Sequence, residues 1–115
     1  MKFNIEIYTK VDGTKPFNIF MDSLNVKLQA KVAREIILLG KCGNELREPH
    51  TKFLELRIKQ SNNITRVLYF FMQDRKIILT HGFVKKSQRT PIKEIERCKK
   101  YRNDYITRRR HYDEI

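Results

Sequence analysis

Phe3, Ile5 and Ile7 alternate with Asn4, Glu6 and Tyr8, the period of a half-buried strand, and Val11-Asp12-Gly13 marks the turn after it. Pro16 opens a helix, since its fixed φ suits a first helical position. Phe17, Phe20, Met21 and Leu24 fall at helical spacing. After a break near Ser23 to Asn25, a second stripe of Leu28, Val32, Ile36 and Leu39 runs to Gly40 and Gly43. These stripes predict a helical hairpin whose aromatic and Met side packs into the core.

A polar loop spans Gly43 to Thr51, and strand character returns at Phe53 to Lys59. There Leu54, Leu56 and Ile58 share one face, and Phe53, Glu55, Arg57 and Lys59 the other. Ser61-Asn62-Asn63 reads as a hairpin turn into Ile64 to Met72, which is apolar on both faces apart from Arg66 and is therefore expected at the centre of the sheet. Gln73-Asp74-Arg75 turns into a further strand, Lys76 to Val84. Thr90-Pro91 then starts a helix on which Ile92, Ile95, Cys98, Tyr101 and Tyr105 follow helical spacing over roughly 28 Å. Its end, from Arg108-Arg109-Arg110 to residue 115, is expected to fray. The prediction is one α+β domain over residues 1–115: an N-terminal strand and helical hairpin, a three-stranded antiparallel meander and a C-terminal helix. The helices are expected on one face of the sheet and function on the free one.

With 115 residues, 40% of them hydrophobic and 33% charged, the chain has length for a single small core. A formal charge of +12 favours an acidic partner, for which nucleic acid is the commonest choice. The charge is uneven: residues 1–50 carry a net +2 and residues 51–115 a net +10, so the second half is expected to meet that partner. Cys42 and Cys98 lie far apart, and Lys2 and Glu6 interrupt the start of the chain, so a cytoplasmic protein with free, packing thiols and no leader is expected. The longest apolar run, Val67 to Met72, falls far short of the roughly 18 residues of a membrane span.

His50, His81 and His111 are scattered, and glycines 13, 40, 43 and 82 form no phosphate loop, so neither metal nor cofactor is expected. Cations converge instead. Arg57 and Lys59 share a strand face about 6.7 Å apart, Arg66 lies across the hairpin from them, and Lys85, Lys86 and Arg89 follow the last strand. Arg75 and Lys76 flank the preceding turn. RNA carries its own nucleophile, the ribose 2′-OH, so its cleavage needs only a proton acceptor, a proton donor and stabilisation of the phosphorane. Lys and Arg supply all three, because neighbouring cations disfavour a charged Lys while Arg stays charged and clamps phosphate in a planar fork. The bland alternatives are an Arg66–Glu55 pair across the hairpin, a structural His81, and solvated charges at Lys85 and Lys86. Without alignment the same cluster is only an RNA-binding face.

The combination TRVLYFF and KIILTHGFVKKSQRTPIKEIERCKK resembles the phage-derived, HigB-like branch of the RelE/ParE toxin superfamily. The likeness covers nearly the whole chain and is most specific from Leu54 to Lys100. It implies a RelE-like fold and the toxin of a type II toxin–antitoxin pair that cleaves messenger RNA on the ribosome without metal. Its implied partner is a cognate antitoxin with a helix-turn-helix and an acidic segment. By the same resemblance Arg66 contacts the scissile phosphate, Lys85 and Lys86 lie near the reaction centre, and Arg57 and Lys59 hold base or phosphate. Lys59, Arg75, Lys76 and Arg89 are expected to bind RNA. Relatives use a Tyr after the last strand; this chain has Ile92 and no Tyr between residues 70 and 100, which leaves His81 or Lys86 as proton donor. Two rival readings stay open: a ParE-like gyrase poison acting by protein contact, and a non-catalytic nucleic-acid-binding module.

Overall fold

The computed structural model describes residues 2–42, 53–60, 62–85 and 89–113, with residues 111–113 described by backbone alone. The loop expected from Gly43 to Thr51, and Lys86 with it, lie outside the described residues. Strand β1 (Asn4–Ile7) leads to helices α1 (Pro16–Asp22) and α2 (Val26–Cys42). Strands β2 (Leu54–Gln60), β3 (Asn63–Met72) and β4 (Lys76–Lys85) follow, then helix α3 (Ile92–Asp113). This mixed α+β order is the expected one and is consistent with a RelE-like fold. β2, β3 and β4 form an antiparallel meander, β1 runs parallel beside β4, and the sheet order is β1-β4-β3-β2.

Local chemistry sets the element ends. Pro16 occupies the first turn of α1. Asn25 divides the helical hairpin, its Oδ1 accepting the Leu28 backbone N–H at 2.8 Å and capping α2. β3 is buried from Ile64 to Phe70, as its two-sided apolar sequence requires of a central strand.

One expectation is overturned: helices cover both faces of the sheet, not one. On the first face α1 and α2 bring Phe17, Phe20, Leu28, Val32 and Leu39 against Leu54, Ile58, Val67, Tyr69, Ile77 and Leu79. On the other, Cys98 and Tyr101 of α3 pack with Tyr8 onto Leu68, Phe70, Ile78 and Phe83. The reason lies in β3 and β4 themselves, whose Phe70 and Ile78 would stand in water if the second face were free. Among the described residues the β2 side of that face stays open, where Arg57 and Lys59 are exposed.

α3 also departs from its expected stripe. Ile92 is 76% exposed, whereas Glu94 is buried in line with Cys98 and Tyr101. The helix does not fray at Arg108 but continues through Asp113. Arg108 holds Asp104 at 2.9 Å, donates to the Thr9 carbonyl and lies over the Tyr8 ring. The Asp104 carboxylate in turn accepts the Tyr8 hydroxyl at 2.5 Å, which ties the end of α3 to the end of β1.

A β-bulge decides what β4 presents. Leu79 pairs with Tyr69 and His81 with Leu68, leaving Thr80 as an extra residue. Simple alternation would put residues 81, 83 and 85 on the face of Ile77 and Leu79, under α1 and α2. The bulge moves His81, Phe83 and Lys85 to the α3 face and turns Gly82 toward α1. A Cβ at Gly82 would collide with the Phe20 ring and would lie 2.8 Å from the Arg66 carbonyl oxygen, so this close approach of α1 to β4 requires glycine.

Among the described residues no helix is long and apolar enough to cross a membrane. Cys42 is exposed and Cys98 buried, both as free thiols, and burial pushes the Cys98 thiol up, so it stays protonated and packs.

Candidate nucleic-acid interface

The strand register arranges the α3-side face in cross-strand rows. Arg57 stands opposite Arg66, which stands opposite Phe83; in the next row Lys59 faces Ile64, which faces Lys85. Lys59 and Lys85 are therefore two strand spacings apart, about 10 Å. The bulge at Thr80 is what brings Lys85 to this side. Arg57, Lys59, Arg66 and Lys85 form one strip near the turn end of the β2–β3 hairpin, and Arg89 lies next to Thr90, which reaches the same place.

Within the strip the cations differ in burial. Lys59 and Lys85 are exposed, the Arg57 side chain is 43% exposed, and Arg66 is fully buried. A guanidinium stays charged at any ordinary pH, so a buried one needs a counter-ion. Glu55 supplies it, with Oε1 2.7 Å from Arg66 Nε, and the pair foreseen as the bland alternative is present. The same carboxylate also serves two further groups. Oε1 accepts the Thr90 hydroxyl at 2.7 Å, and Oε2 lies 3.5 Å from Arg57 Nη2. The Phe83 ring lies 5.7 Å from the Arg66 guanidinium carbon.

His81 is not part of this strip. It lies in the row of Glu55 and Leu68, beneath α3, and is 2% exposed. Its Nδ1 is 3.2 Å from Thr80 Oγ1, its Nε2 is 3.4 Å from Glu94 Oε1, and its ring meets Tyr101 edge-on. Burial pushes its imidazole down to about 4, with the Arg97 charge acting the same way, so the ring is neutral at pH 7. Arg75 and Lys76 lie at the opposite end of the sheet. Lys76 pairs with Met72, six residues along β3 from Arg66, which is about 20 Å.

Reading the sequence missed Thr90, taken only as a helix start, and Glu94, a charged residue on a buried stripe. The signal for Glu94 was its position four residues before Cys98 and seven before Tyr101. Thr90 left no comparable signal, because it meets Glu55 only through the tertiary fold.

An α+β domain, consistent with a RelE-like fold, that carries a strip of cations across three strands of its sheet is the class these observations define. Residues 19–103 match the model of the family described as phage derived protein Gp49-like (DUF891), and the chain belongs to that family. The match runs from within α1 to within α3 and so takes in the whole strip. No curated protein matches the chain.

Proposed function

We propose that this protein is the toxin of a type II toxin–antitoxin pair of the HigB-like kind, and that it cuts messenger RNA on the ribosome by metal-independent transesterification. The observation that carries the reading is the strip itself: Arg57 opposite Arg66, with Lys59 and Lys85 in the adjoining row, and with Arg57, Lys59 and Lys85 exposed. Membership of the phage-derived Gp49-like family supports it.

In the reaction, the ribose 2′-oxygen forms a bond to phosphorus as the 2′-OH proton leaves. The P–O5′ bond then breaks, and the departing oxygen takes up a proton. Negative charge grows on the phosphorane oxygens, and fixed cations there lower the barrier. Arg57, Lys59 and Lys85 reach the strand directly. Arg66 sits behind them as a buried positive charge. His81, neutral and beneath α3, holds β4 against the helix and does not exchange the proton, which leaves Lys85 and Lys86 for that task. The cognate antitoxin neutralises the strip with an acidic segment, and the rest of the basic surface docks on ribosomal RNA.

The test is a reconstituted translation system in which messenger RNA ends are mapped by primer extension, beside naked RNA. Wild type yields ribosome-dependent cuts. Arg57→Ala, Lys59→Ala and Lys85→Ala together, all at exposed positions, should abolish them, since a hydrogen bond to a charged group contributes about 1.5–3 kcal/mol and three are removed at once. Intact messenger RNA with wild type would sink the reading and turn the search to gyrase.

A further inference from the structure

Glu55 does more than neutralise Arg66. Its carboxylate stands among three donors: Arg66 Nε at 2.7 Å, the Thr90 hydroxyl at 2.7 Å and Arg57 Nη2 at 3.5 Å. Two guanidinium groups and a hydroxyl converging on one pair of oxygens is the donor set that a phosphate takes, and carboxylate and phosphate share the fork geometry that arginine recognises.

We infer that Arg57, Arg66 and Thr90 form a phosphate site that Glu55 fills in the free protein, so that Glu55 is a built-in competitor for the RNA backbone. The inference rests on the proposed RNA-directed reading and adds to it an internal block and a third donor, Thr90.

The geometry allows exchange. Glu55 is the partly exposed member, 18% open at its side chain against none for Arg66, and it lies beside the half-open Arg57. Rotation of its carboxylate toward water frees the donors from the Arg57 side, and an incoming phosphodiester replaces one anion by another, so Arg66 never stands without a counter-charge. Thr90 precedes α3, and the Thr90–Glu55 bond therefore links the occupancy of the site to the start of that helix. A purely structural Glu55 predicts the opposite response to substitution, because loosening Arg66 would weaken binding.

The experiment measures binding of a short single-stranded RNA made uncleavable by 2′-O-methyl groups, with inorganic phosphate as a second probe, and needs no ribosome. Glu55→Gln keeps the shape and removes the charge. Its RNA affinity should rise about tenfold or more, the scale of one charge-assisted hydrogen bond. Asp22→Asn, the same charge change on α1 across the sheet, controls for long-range attraction and should give far less. Thr90→Val alters no charge yet releases the carboxylate; it should raise affinity by a smaller factor, since it also deletes a donor. Arg57→Ala should cancel the gain of Glu55→Gln. Saturable phosphate binding that RNA displaces supports the inference; phosphate binding that RNA leaves intact assigns the site to a free anion and overturns the competition with RNA. An affinity for Glu55→Gln equal to that of Asp22→Asn, or below wild type, overturns the inference. Loss of messenger RNA cleavage with these binding results intact would instead remove only the proposed reaction.

Discussion

On the α1–α2 side of the sheet the buried side chains among the described residues are apolar apart from Thr65, and they pack as one continuous cluster from Phe17 to Leu79. On the α3 side the same strands bury Arg66, Thr80 and His81, the helix adds Glu94, and the apolar contacts fall into two smaller groups around Tyr101 and Cys98. Apolar burial is favourable wherever it occurs, whereas each buried polar or charged group must recover its lost hydration through specific partners. The first face therefore holds the chain together, and the second keeps polar groups at a cost that packing alone does not require. That contrast directs attention to the α3 side as the working face.

The largest effect should come from separating the buried pair. Glu55→Ala leaves the Arg66 charge buried without its carboxylate and should cost about 3–5 kcal/mol in urea unfolding, whereas Glu55→Leu combined with Arg66→Met should restore most of it. If the single substitution costs no more than a surface change, the two faces do not differ as described.

His81 should show the next effect, through pH. Its folded value of about 4 lies below its ordinary 6.5, so the native state binds fewer protons between those limits. Stability should be fully present above pH 6.5 and decline as pH falls toward 4, by up to about 3 kcal/mol from this group. Glu94, Arg97, Tyr101 and Thr80 face the ring, and Cys98 is within reach of the Thr80 hydroxyl. His81→Gln should flatten the slope in that window, and an unchanged slope would place the acid sensitivity elsewhere.

Gly82→Ala probes the apolar face instead. Its new methyl meets Phe20 and the Arg66 carbonyl, so α1 must shift, at about 1–3 kcal/mol by thermal unfolding. The smallest expected effect is a gain. Asp74 and Arg75 both hold positive φ, of 64° and 56°, in the β3–β4 turn. Replacing them by Asn and Gly should stabilise the hairpin by about 1 kcal/mol, with no change at the strip, which lies at the other end of the sheet.

Much of this was legible along the chain. The alternation at Phe3 to Ile7, the stripes of α1 and α2, Pro16 as a helix start and the two-sided β3 all follow from local pattern, because each reflects a period that one element must satisfy by itself. So did the place of Arg66 across the hairpin from Arg57 and Lys59, whereas its pairing with Arg57 came from a turn one residue shorter than Ser61-Asn62-Asn63, since Asn63 already pairs with Gln60.

The side on which α3 packs was not legible, because an amphipathic helix specifies that it must bury a stripe and not which sheet face receives it. Nor was the β4 bulge, a single inserted residue with no marker in composition, although it moves Lys85 into the strip and His81 beneath the helix. The meeting of Glu55, Arg57, Arg66 and Thr90 combined both kinds of information. By itself the sequence determined the elements, their order and the excess of positive charge in its second half. Only the tertiary structure decided which cations share a surface, which one is buried, and that a carboxylate already lies between two of them, because those facts depend on register, on one bulge and on where the last helix comes to rest.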